Sequence, residues 1–171
     1  TCAVYVADNG SFKMNGGAIT ENKGSFSGGV HTWGTFEMNG GSITKNVNSN
    51  SNGDGGGVGV ASKGTFTMTG GEIADNTGNR SGGVYANGTF TMTGGDITRN
   101  MCGTTNAGGG VYVADGGTFN LTGEGRVTSN KNTFSFGGGG VYVAKGGTFT
   151  MDGGDITGNV NTSSNSGAGV Y

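Results

Sequence analysis

The sequence predicts an all-β chain wound into one parallel β-helix, a solenoid of about six coils of 24–30 residues with three strands per coil. Three observations predict it. The stretch Gly64-Thr65-Phe66-Thr67-Met68-Thr69-Gly70-Gly71-Glu72-Ile73, closed by Asn76, returns almost unaltered as Gly88-Thr89-Phe90-Thr91-Met92-Thr93-Gly94-Gly95-Asp96-Ile97 with Asn100, and four more times with greater variation. Aligned on phenylalanine, the copies place Phe12, Phe36, Phe66, Phe90, Phe119 and Phe149 at spacings of 24, 30, 24, 29 and 30 residues. With 42 glycines and no proline among 171 residues, and 31% hydrophobic against 12% charged, the composition fits neither an ordinary globule nor collagen. Regularly placed apolar residues and a net charge of only −2 argue against disorder.

One domain, 1–171, follows, with coils at about 1–27, 28–54, 55–81, 82–107, 108–136 and 137–166 and a partial seventh at 167–171. Each copy opens with a glycine-rich turn and a β-branched run, as in Val4-Tyr5-Val6 or Val111-Tyr112-Val113. At period two the outer members face inward and the middle one faces solvent, giving an outward column of Tyr5, His31, Gly59, Tyr85, Tyr112, Tyr142 and Tyr171. In the second strand Phe and Met, with Leu121 once, form the inward pair. Paired glycines such as Gly16-Gly17 then turn the chain where positive φ or close backbone approach excludes a side chain. The third strand carries one inward residue, Ile19, Ile43, Ile73, Ile97, Val127 or Ile156, and the extra residue in Gly123-Glu124-Gly125-Arg126 is expected to form a local bulge.

Three residues after that apolar position stand Asn22, Asn46, Asn76, Asn100, Asn130 and Asn159, a column suited to the inside of a bend where stacked amides bond one another and the backbone. The following connections, such as 47–54 and 160–166, are expected to be surface loops. No coil buries its own apolar face, so the core is a property of the stack. The column Glu21, Lys45, Asp75, Arg99 alternates in sign, as do Lys13 with Glu37 and Asp115 with Lys145, which predicts ion pairs between neighbouring coils that fix register, each contributing under about 1 kcal/mol where exposed.

Composition excludes several functions. No basic face argues for nucleic acid, and no apolar run approaches the roughly 20 residues of a membrane span. Cys2 and Cys102 stand outside the apolar repeat and form no metal-ligand cluster; too far apart to join within one chain, either is expected to cross-link only to another chain. Glu72, Asp96, Glu124 and Asp155 form the one acidic column, expected to be solvated, without a repeating basic partner. His31 is expected at the surface, Asn52 to Gly57 as a plain loop, and no nucleophile–base constellation, cofactor site or metal site is assigned.

The sequence resembles the right-handed parallel β-helix repeats of bacterial and archaeal surface proteins, adhesin-like proteins and autotransporter passenger domains. Its Gly16-Gly17-Ala18-Ile19 element is similar to the GGAI motif of chlamydial polymorphic outer-membrane proteins. The similar fold of pectate lyases implies right-handedness. With no catalytic constellation among the residues, the resemblance to surface-protein repeats gives the expectation of a non-enzymatic extracellular or cell-surface structural protein.

Both ends lie in the same strand position, so Val4, Tyr5, Val6, Val170 and Tyr171 are expected to form an end-to-end interface, making a head-to-tail homopolymer, a filament or surface fibre. One alternative is an adhesin stalk that binds surface glycans or other chains, with Tyr5, Tyr85, Tyr112 and Tyr142 as lateral contacts. Another is ice binding by the threonine columns of the second strand, beginning Ser11, Thr35, Thr65, Thr89, Thr118 and Thr148.

Overall fold

The computed structural model describes residues 1–103, 107–134, 136–162 and 167–171. Every strand pairing is parallel and joins a strand to the equivalent strand one coil away. Four six-stranded sheets run along the stack, which makes the chain a β-solenoid. In the first coil they begin with Val4–Val6, Ser11–Met14, Ala18–Thr20 and Lys23–Gly24, and in the sixth they end with Val141–Val143, Thr148–Met151, Asp155–Thr157 and Val160–Asn161. A two-stranded fifth sheet pairs Ala107–Gly108 with Gly137–Gly138.

The expected three strands per coil are therefore four. The additional strand, for example Val47–Asn48, Met101–Cys102 or Lys131–Asn132, lies where surface loops were expected. It is only two residues long, and its inward column reads Gly24, Asn48, Gly78, Cys102, Asn132, Asn161. Neither length nor polarity offers the apolar alternation from which a strand is recognised. Asn48 and Asn132 fill that column by donating to Phe26 O and Ala107 O, at 2.7 and 3.2 Å. Of the connection expected at 160–166, residues 163–166 lie outside the described residues.

Register in the second sheet matches the phenylalanine alignment at every step. The rings stack nearly parallel with centroids 4.6 to 5.1 Å apart, which is the strand spacing expressed in side chains. Phe36, Met38, Ile43, Phe66, Met68, Ile73, Phe90, Met92 and Ile97 have almost no exposed surface. Turns between second and third strands place Gly41, Gly71 and Gly95 at φ of 86 to 88°, and a Cβ on Gly71 would lie 2.7 Å from the Gly41 carbonyl. In the fifth coil the extra residue sits in this turn, not in a bulged strand, because pairing is unbroken on both sides at Met92↔Leu121 and Asp96↔Arg126.

The asparagine column forms a continuous ladder. The Asn76 amide donates to Asn100 Oδ1 at 3.0 Å and to Ile43 O at 2.8 Å, while Asn76 Oδ1 accepts both the backbone N–H and the side-chain amide of Asn46. Asn46, Asn100 and Asn130 repeat this donation pattern, and Asn159 donates to Val127 O. Only Asn22, at the exposed end, turns its amide to Thr20 O in place of a coil below. The residue before each asparagine, Glu21, Lys45, Asp75, Arg99 and Ser129, is left-handed at φ of 55 to 60°, and Gly158 takes that place in the sixth coil. The charged column thus occupies a strained backbone corner.

Lys45 reaches Glu21 at 3.7 Å, Lys13 reaches Glu37 at 3.0 Å, and Arg99 grips Asp75 through two nitrogens. Asp115 and Lys145 do not form the pair expected of them; the Asp115 carboxylate lies against Gly146. Cys102 is fully buried inside the fourth sheet, not outside the repeating core, and burial pushes its thiol pKa up to about 12.

Two outcomes are expected. Asn100→Ala leaves the Asn76 N–H, the Asn76 amide and the Ile73 carbonyl without their partner, and loses at least about 1–3 kcal/mol in urea unfolding, whereas Thr67→Ala changes stability by less than about 0.5 kcal/mol. Equal midpoints for the two variants contradict a stabilising ladder. An alkylating reagent in native buffer modifies Cys2 and spares Cys102 until denaturant is added, as read by intact mass.

Candidate functional site

The first sheet departs most from expectation on its outer face. The tyrosine column is not uniformly exposed: Tyr5 is 58% exposed, but His31 is 3% and Tyr85 7%. The segments entering the first strands of the second, third and fourth coils stack as a column of their own, with Asp54 N–H bonded to Phe26 O at 2.7 Å and Gly55 bridged to Ser81. Arg80, entering the fourth coil, lies 5.7 Å over the Tyr85 ring and donates to its hydroxyl at 3.3 Å. From Tyr85 the rings run without interruption through Tyr112 and Tyr142 to Tyr171, 5.1 to 5.7 Å apart. Val170 bridges to Val141, so Val170 and Tyr171 extend the first sheet. At the other end Val6 is buried and Val4 packs partly buried against the core.

Gly59 interrupts the column, and the space it leaves is occupied. A Cβ there would fall on Ser27 Oγ, 2.9 Å from His31 Nδ1 and 3.2 Å from Asp54 Cβ. Into this gap His31 turns Nδ1, with Ser27 Oγ at 3.3 Å and Asp54 Oδ2 at 3.5 Å. The expectation that His31 is a surface residue is corrected by the segments at Ser27 and Asp54, which cover it. Asn52 to Gly57 is the connection expected from the sequence, and it carries Asp54 to the ring. Around the imidazole, Tyr5 stacks in parallel at 6.0 Å, Phe26 lies tilted at 5.6 Å and Trp33 at 6.3 Å. These residues, with Asn52 at one side, line a cleft of about 350 Å³.

Burial pushes the His31 pKa below its ordinary value, assisted by the Thr1 ammonium, so the ring is neutral at pH 7. Burial also raises Asp54 to about 6, against the opposing charge of Arg80. Above that pH the carboxylate accepts from Nδ1–H, which leaves Nε2 as an acceptor. Ser27 and Asp54 address the same ring nitrogen. A nucleophilic triad needs them on opposite nitrogens, so this arrangement orients a histidine and does not activate the serine.

The acidic column is also different from its sequence reading. Register places Arg126, not Glu124, between Asp96 and Asp155, and Arg126 binds Asp96 through two bonds of 2.7 and 3.0 Å. Arg99 takes Glu72 at 3.0 Å. Basic partners are present after all; the one-residue offset in the fifth coil concealed Arg126. Among the described residues no three His, Cys, Asp or Glu side chains converge as a metal-binding group. The threonine columns lie in register across the second sheet, from Ser11↔Thr35 to Thr118↔Thr148, with Lys13 and Glu37 paired within them.

Sequence reasoning missed Ser27, Phe26, Trp33 and Asp54 as companions of His31. The available signal was the glycine at position 59, where the column otherwise carries a ring. No family model, curated protein or solved structure matches the chain.

The pH dependence follows from Asp54. Its folded pKa lies above the ordinary value of 3.8, so its contribution to stability is full below about pH 4 and is lost as pH rises through about 6. His31, with a lowered pKa, runs the other way, losing stability as pH falls below 6.5; Cys2, Tyr85 and Arg80 are the other titratable or charged neighbours of the pair. Measured against wild type, Asp54→Asn is expected to gain on the order of 2–3 kcal/mol between pH 4 and pH 7. A constant difference across that range contradicts the assignment.

Proposed function

We propose that the chain is a non-enzymatic structural segment of an extracellular surface fibre or stalk. The observation that carries this reading is the asparagine ladder, in which successive coils complete one another's hydrogen bonds. Such a stack gives a rod of roughly 29 Å for six coils at about 4.8 Å each, which lengthens by adding coils without redesigning any of them. Exposed ion pairs between successive coils support the same reading, since they hold register along the axis. Resemblance to the repeats of adhesin-like proteins agrees with it. Self-association is part of the proposal, because parallel pairing between equivalent strands is a contact that a second copy can make.

Antibodies raised against the folded chain are expected to label intact producing cells. Labelling that appears only after permeabilisation overturns the surface assignment. Sedimentation velocity at micromolar concentration is expected to show species larger than one chain, and a single monomeric boundary removes self-assembly from the proposal.

A further inference from the structure

The cleft around His31 has features that a purely structural rod does not require. Its rim is aromatic and exposed: Tyr5 at 58%, Phe26 at 56% and Trp33 at 39%. Its floor is polar and incompletely paired. The His31 side chain is 4% exposed, and no hydrogen bond from the described residues reaches Nε2. Thr32 Oγ1, next to it in the strand, is the one fully buried, unpaired polar side-chain atom among the described residues, and His31 itself lines the cleft. The Asp54 carboxylate is 20% exposed and, among the described residues, makes one polar contact, through Oδ2, leaving Oδ1 as a second acceptor.

We propose that this cleft is a carbohydrate-binding site that takes one hexose-sized ring. A sugar ring presents an apolar C–H face and a rim of hydroxyls, and the cleft offers the complement of each. Aromatic side chains cover the apolar face. Asp54 Oδ1 and His31 Nε2 accept from hydroxyls, and the Asn52 amide, on the same wall, supplies donors. The volume of about 350 Å³ lies at the small end of ligand sites, which suits one ring. An anionic ligand is disfavoured by the carboxylate in the floor. Two devices pre-organise the floor: Nδ1 is held by Ser27 and Asp54, and Gly59 leaves room for them where a tyrosine would not.

This site is independent of how the rod is used, and its test needs only the purified chain. Trp33 is the sole tryptophan and stands at the rim, so its fluorescence reports occupancy. The probes are the methyl glycosides of glucose, galactose, mannose and N-acetylglucosamine, followed by Trp33 emission and by saturation-transfer NMR. At least one is expected to bind with a Kd of about 1 mM, the scale for a ligand of this size. Asp54→Asn is expected to weaken it about tenfold and Tyr5→Ala several-fold, while Tyr142→Ala, far along the same column, leaves it unchanged. Tyr5 is mostly exposed, so its variant separates lost binding from lost folding, checked by thermal melting. Three results overturn the proposal: no response to any of the four glycosides, equal weakening by Tyr5→Ala and Tyr142→Ala, or a Trp33 shift that follows protein concentration and not sugar, which would mean that a second copy fills the cleft.

Discussion

The hydrogen-bonded asparagine ladder is the constraint on which the remaining structure depends. The amides of Asn46, Asn76, Asn100 and Asn130 each bond the coil on either side, so the position of one coil fixes that of the next to within a hydrogen bond. Parallel sheets alone would tolerate slippage, because backbone ladders carry no residue identity. An amide that must meet another amide and a particular carbonyl does not tolerate it. The phenylalanine stack then falls into register, and ring separations of 4.6 to 5.1 Å repeat through all six coils.

A corner that tight has a backbone consequence. Just before each asparagine the chain is left-handed, and in four coils the residue there is Glu, Lys, Asp or Arg, for which that conformation is unfavourable. The compensation is visible in the same column, where Lys45 meets Glu21 and Arg99 meets Asp75. The corners point these side chains outward and stack them one coil apart. The alternation of sign turns a forced conformation into a set of contacts that favour the correct neighbour.

Much of this was legible in the sequence because the repeat is read against itself. Phe12 to Phe149 and Asn22 to Asn159 are recognisable as ladders from spacing alone, and the second-sheet register follows. The fourth strand was not legible, since an inward column of Gly, Asn and Cys carries no hydrophobic signal. Arg126 escaped because counting back from Val127 is correct only when the added residue is assigned to the turn. Burial of His31 was illegible for a different reason. Period-two alternation assigns a side chain to the outer face of its own sheet, but it does not say whether another segment covers that face, and Ser27 and Asp54 come from such segments.

That last point bears on how a solenoid acquires a site at all. Its core is held nearly constant by the ladders, and substitutions there are felt along the whole stack. Variation is left to the segment between the fourth strand and the next coil and to the turns on either side of the second strand, and the phenylalanine spacings of 24 to 30 residues measure their sum. The first 30-residue interval supplies both Asn52 and Asp54, and they converge on an imidazole carried by the strand of the coil before. Ser27 and Phe26 come to the same ring from the 24-residue interval before it. The lengthened connection, the missing side chain at Gly59 and the histidine in place of tyrosine at position 31 are three departures from the repeat that meet at one place on the rod. Chance variation in surface segments would scatter such departures along the stack. Their convergence sets this face apart from the otherwise periodic surface, while the ladder beneath it continues unbroken.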